Sequence, residues 1–188
     1  YTIIERQGVK VAVIGMITPA IPNWLTEKLW SGLYFEDMAK SAAKWVDIVK
    51  NKEHADIVVG LFHSGWNGGI STLHYNEDET EHIARNIPGF DIIFFGHDHN
   101  PRHVTVKNNK GHYVLCLDPS CNAVYVADAE IQLTIDNGKV IVKEINGRLT
   151  DVSRMTIDDE FTTAFAHITD SVKSFINRRI GSITESIH

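Results

Sequence analysis

Three of the ten histidines stand directly behind apolar, β-branched runs. His63 follows A-D-I-V-V-G-L-F, residues 55–62, while His97 and His99 follow D-I-I-F-F, residues 91–95, and Gly96. Runs of this length and composition read as buried strands. If the two are parallel neighbours, their carboxyl ends open on the crevice where α/β sheets bind ligands, and the three imidazoles converge there. Imidazole nitrogen suits zinc, manganese, iron and similar ions. A pair of such ions roughly 3.5–4 Å apart is a recurrent device for phosphoryl chemistry, with hydroxide between the ions as nucleophile.

The H-x-H spacing of His97 and His99 leaves two geometries open. An extended chain projects alternate residues to the same side, so a continued strand aims both rings into one pocket. A turn at Gly96 instead splays them toward two adjacent ions. Asp98, between them, is either an acceptor that orients one imidazole or a solvated carboxylate. His54, His74, His82, His103, His112 and His167 lack a comparable setting and read as surface or packing residues. No side chain is singled out as a nucleophile.

The elements that must position these rings follow from periodicity. V-K-V-A-V-I-G-M-I, residues 9–17, is a buried strand, followed by the structure-breaking T-P-A-I-P-N. Apolar residues at Phe35, Met38, Ala39, Ala42, Trp45, Val46 and Val49 predict a helix ending near Lys50. Strand, helix and strand in this order imply a parallel sheet. A Gly/Ser/Asn-rich loop then leads to a short polar helix over 76–86, stopped by Pro88-Gly89. After Pro101 the pattern alternates through four segments, with Asp136-Asn137-Gly138 as a hairpin turn, which predicts an antiparallel sheet. From Thr156 a last amphipathic helix is expected, with Thr156 and Asp159 as a capping box and Gly181 as its stop. Its stripe is Phe161, Phe165, Ile168, Val172, Phe175 and Ile176.

Composition narrows the partners. A formal charge of −6 and a pI near 5.9, with scattered basic residues, exclude a nucleic-acid polymer as the main partner. No apolar run reaches the roughly 18 residues of a membrane span. Cys116 and Cys121 read as free thiols rather than a disulfide. The opening Y-T-I-I-E-R-Q-G-V-K is neither a signal peptide nor an initiator region, which leads us to expect a chain that starts inside a longer polypeptide. A Rossmann-type reading is disfavoured because I-G-M-I-T-P stands where G-x-G-x-x-G would follow the first strand.

At this point a resemblance is visible. L-F-H-S-G, residues 61–65, and I-P-G-F-D-I-I-F-F-G-H-D-H, residues 87–99, resemble the last two motifs of calcineurin-like metallophosphoesterases, in the 5′-nucleotidase and 2′,3′-cyclic-nucleotide phosphodiesterase branch. G-V-K-V-A-V-I-G-M-I-T-P, residues 8–19, and I-N-R-R-I-G-S-I-T, residues 176–184, are similar to segments of the same branch.

The resemblance implies an α/β fold, a mixed β-sandwich flanked by helices in four αββα layers, of which this chain supplies the C-terminal half. Residues 1–150 would be the later half of the catalytic domain. Residues 151–188 would be an amphipathic helix and linker toward a nucleotide-recognising domain that is absent. It further implies that His63 and His97 bind one divalent ion and His99 a second, the two being Mn, Zn, Fe or similar. The family's D-x-H, G-D and G-N-H motifs do not occur here. The remainder of the polypeptide is then an expected partner, and the isolated chain is expected to be inactive. The implied substrate is a nucleotide or related phosphoester, and the implied setting periplasmic or secreted. D-P-S-C-N-A, residues 118–123, stands where relatives often carry glycines. The alternative reading is a non-catalytic scaffold that keeps the fold with a degenerate metal site.

Overall fold

The computed structural model describes residues 1–137 and 139–182. In chain order the strands are β1 (Thr2–Arg6), β2 (Val9–Ile17), β3 (Ile57–His63), β4 (Gly68–Ser71), β5 (Asn76–Asp78), β6 (Ile92–Phe94), β7 (Arg102–Lys107), β8 (Tyr113–Asp118), β9 (Tyr125–Asp136) and β10 (Lys139–Asp151). The helices are α1 (Ile21–Trp24), α2 (Met38–Asn51), α3 (Thr80–Asn86) and α4 (Asp159–Ile176). Residues 1–153 form one compact unit and the described residues from 154 onward a second.

In the first unit, six strands form one sheet in the order β1-β2-β3-β6-β8-β7. β2, β3, β6 and β8 run parallel, and β1 and β7 are antiparallel edges. α2 lies over one face. Its Met38, Ala42, Val46 and Val49 are buried in a cluster with Ala12, Ile14, Val58 and Ile93. Each such Val or Ile contributes about 1.5–3 kcal/mol by leaving water. The helix begins at Met38 rather than Phe35 because Asp37 supplies the cap, accepting from the Lys40 N–H at 2.9 Å.

The other face is covered by the β9–β10 hairpin, whose Ala127, Ala129, Ile131, Ile145 and Leu149 pack on Ile92, Leu115 and Leu117. Gly147 makes the close approach possible, since a Cβ there would sit 2.7 Å from Leu115 Cδ2. Helices, sheet and hairpin are therefore layers of the αββα plan. Asn137 takes the left-handed φ of 48° expected of the hairpin turn, while Gly138 lies outside the described residues.

The structure corrects several expectations. The alternating half is not one antiparallel sheet, because β8 inserts beside β6 in parallel and only β9 and β10 pair apart. Val114 to Asp118 are all buried, as a strand covered on both faces must be. The polar helix over 76–86 is instead the hairpin β4–β5 followed by α3. T-P-A-I-P-N is not wholly irregular: Ile21 to Trp24 make one helical turn with Pro22 in its first positions. β1 was not foreseen.

In the second unit, α4 is capped by Asp158, which accepts from the Phe161 N–H at 2.7 Å, and not by a Thr156–Asp159 box. It ends at Ile176, ahead of Arg178, so Gly181 is not its stop. Ile183 and Thr184 of the I-N-R-R-I-G-S-I-T stretch lie outside the described residues. Among the described residues no helix is long and apolar enough to cross a membrane. Both cysteines are free, and burial pushes the Cys116 thiol up to about 12.

Candidate metal centre

β3 and β6 are parallel neighbours, Leu61 opposite Phe94, so their carboxyl ends open at the same sheet edge. Beyond them Ser64 and Gly96 form a bridge that stitches the two departing loops together. His97 and His99 then adopt φ of 107° and 59°. The chain therefore turns after Gly96, which excludes the continued-strand geometry.

The turn brings His97 Nδ1 to 3.3 Å from His63 Nε2, with ring centroids 5.0 Å apart. Two nitrogens each bound to one tetrahedral zinc at 2.0–2.1 Å stand roughly 3.3–3.4 Å apart, so the observed pair fits a shared divalent ion. Burial, then the neighbouring His97 and His99, lower the proton affinity of His63 and favour the neutral ring that ligates. His99 is held through its backbone: its carbonyl accepts from Ser120 Oγ at 2.7 Å.

Asp98 is turned to the backbone instead. Its Oδ2 accepts from the Trp66 N–H and its Oδ1 from the Asn100 N–H, both at 2.9 Å. Among the described residues it braces the two loops and makes no hydrogen bond to an imidazole. Gly65 explains the tightness here, because a Cβ on it would meet Asp78 Oδ1 at 2.7 Å and Asp98 Cβ at 2.8 Å.

Sequence reasoning missed three neighbours of His97. Glu77 Oε1 lies 2.8 Å from His97 Nε2, and Glu77 Oε2 accepts from the Ile70 N–H at 2.6 Å. Burial alone would raise the Glu77 pKa, but these bonds hold it below the ordinary carboxylate value. Asp78 accepts from the Gly65 N–H at 2.6 Å, and burial raises its pKa. Ligand atoms of Glu77, Asp78 and His97 lie within 4.8 Å of one another. Trp24, from α1, covers the His97 ring at a centroid distance of 5.1 Å.

Ser64 ties this acidic segment to the histidine strand, donating to the Glu77 carbonyl and accepting from the Glu79 N–H, both at 2.9 Å. At the end of β8, Asp118 is wholly buried and its Oδ2 has no partner. Burial, with the nearby Asp98 carboxylate, pushes it up to about 6 against the Ser120 N–H and Arg102.

With this geometry in view, the comparisons show what the chain is similar to. Residues 13–101 match the family described as calcineurin-like phosphoesterase. Through these residues, just under half of its length, the chain is similar to the calcineurin-like phosphoesterases. The whole chain is 25% identical over 209 residues to a 2′,3′-cyclic-nucleotide 2′-phosphodiesterase/3′-nucleotidase of Haemophilus influenzae, and spans 31% of its length. A 5′-nucleotidase of Vibrio cholerae is 30% identical over 54% of the chain, which covers 18% of that relative. The calcineurin-like phosphoesterase YfkN from Bacillus subtilis superposes with a TM-score of 0.75 at 21% identity, over 90% of this chain and 54% of the other. The superposition shows a shared fold, of which this chain carries a part.

Proposed function

We propose that this chain is the histidine-bearing part of a metal-dependent hydrolase that acts on nucleotide phosphoesters. The observation that carries the reading is the facing pair His63 Nε2 and His97 Nδ1, 3.3 Å apart at the carboxyl ends of adjacent parallel strands. The names of the relatives, a cyclic-nucleotide phosphodiesterase/3′-nucleotidase and a 5′-nucleotidase, support the substrate class.

In this reading His63 and His97 hold one divalent ion and His99 a second. The ions supply charge neutralisation for phosphate oxygens and acidify water. His63 stays neutral, Asp98 and Gly65 keep the two loops together, and Ser64 fixes the acidic segment beside His97. Three imidazoles cannot hold and bridge two ions, so further ligands come from elsewhere in the polypeptide, and the 188 residues alone are inactive. A periplasmic or secreted setting goes with this reading.

The test is phosphate release from 5′-AMP, 3′-AMP and 2′,3′-cyclic AMP after loading with manganese or zinc, on the chain and on a longer polypeptide that contains it. The reading expects no turnover by the chain, turnover by the longer protein, and loss of that turnover in His97→Ala. Activity that survives in His97→Ala would overturn the metal role. Turnover by the chain alone would overturn the divided site.

A further inference from the structure

We propose that Glu77 is a positioning residue: it holds the His97 proton on Nε2 and so presents Nδ1, with its lone pair free, toward His63. This deepens the metal reading and rests on it only for the ion, because the tautomer is a property of the chain itself.

A charged carboxylate accepts and cannot donate, so the 2.8 Å contact between Glu77 Oε1 and His97 Nε2 requires the proton on Nε2. The neutral ring then has its lone pair on Nδ1, the nitrogen that faces His63 Nε2 at 3.3 Å. The acceptor is itself fixed. Its second oxygen takes the Ile70 N–H at 2.6 Å, and Gly69, at φ 67°, lies so close that a Cβ there would meet Glu77 Oε2 at 2.6 Å. Swinging the carboxylate away would break that bond.

The ring needs such a brace because its backbone sits at φ 107°, a region L residues rarely adopt. Glu77 and the Trp24 ring between them set its plane from two directions. An orienting carboxylate of this kind typically changes metal affinity by about 10–100-fold.

The competing use of the same atoms is a cation seated among Glu77, Asp78 and His97 Nε2. Hydrogen bonding disfavours it, since Glu77 Oε2 and Asp78 Oδ1 are already taken by the N–H groups of Ile70 and Gly65.

The experiment is long-range ¹H–¹⁵N correlation of histidine-labelled, metal-free chain at about pH 8, where an imidazole of ordinary pKa is neutral. The expected result is His97 as the Nε2–H tautomer in the wild type and in Glu77→Gln, whose amide oxygen still accepts, and a mixture in Glu77→Leu. Zinc added afterwards should shift Nδ1, with affinity about 10–100-fold weaker in Glu77→Leu than in the wild type. Nδ1–H in the wild type would overturn the proposal, a result that needs no variant to fold. An unchanged tautomer in Glu77→Leu, or zinc attached to Nε2, would also overturn it. The expected tautomer with no zinc bound at all would support the brace and overturn the metal reading instead.

Discussion

The parallel strands end in two different ways. At the amino ends of β6 and β8 a cavity of about 860 Å³ is lined by Lys50, Asp91, Asn108 and Lys143, among others. Three of its charges are already engaged: Lys143 bonds Asp91 at 2.9 Å, and Lys50 bonds the Ala55 carbonyl at 3.2 Å. Asn108 Nδ2 is the one buried side-chain atom without a partner there among the described residues.

At the carboxyl ends, His97, His99, Ser120, Asn122 and Ala123 all take positive φ, and Asp118 Oδ2 and Glu79 Oε2 are buried without partners. Strained backbone costs of order 1–3 kcal/mol per residue and persists only where the surroundings enforce it. The size of a hollow therefore does not mark the site in this molecule. The concentration of strained backbone does: five of the eight non-glycine residues at positive φ among those described lie at the carboxyl ends.

The sharpest way to break this comparison is to disturb the amino ends. Asp91→Ala removes the partner of Lys143 and the acceptor of the Val58 N–H at 2.8 Å. It should cost about 3 kcal/mol of unfolding free energy in urea. Zinc affinity should stay within about twofold, because the sites are far apart in the strand direction. A large loss of zinc binding would erase the distinction between the two ends.

Asp118→Asn probes the carboxyl end through pH. Folded Asp118 keeps its proton up to about pH 6, against 3.8 ordinarily. The stability this confers is fully present below about pH 4 and is lost as pH rises through 6. The variant mimics the protonated group, so it should be more stable than the wild type at pH 8 by about 1–2 kcal/mol and nearly equal below pH 4. Parallel melting curves at every pH would show that burial of this carboxylate carries no strain.

The smallest effect is expected at Ala123, held at φ 53°. Ala123→Gly should raise stability by about 1 kcal/mol, because glycine takes the left-handed region without a Cβ penalty. A lower melting temperature would mean that this turn stores nothing.

Sequence carried the long strands and the convergence of His63 with His97, because β-branched runs and a strand-helix-strand order leave few arrangements. It also placed β8 as a strand, but not as a parallel one. The unbroken run V-L-C-L was the available signal, since a strand buried on both faces does not alternate.

Glu77 and Asp78 were not legible. An acidic run ahead of T-E-H-I-A looks like a helix start, and only the β4–β5 hairpin, turning over 72–75 with Gly68 and Gly69 of β4 at positive φ, brings it beside His97. The left-handed turns at Ser120, Asn122 and Ala123 were hidden for another reason: the residues are not glycines, and tertiary contacts impose the conformation. The bond that Ser120 Oγ donates to the His99 carbonyl at 2.7 Å is one of them.

The pairing of His63 with His97 across a divalent ion is tested most directly by calorimetric titration of zinc into the wild-type chain, His97→Ala and His74→Ala. The wild type and His74→Ala should bind alike, and His97→Ala should bind more than about 100-fold more weakly, beyond the range seen for residues that only orient a ligand. Equal binding by all three would contradict the site.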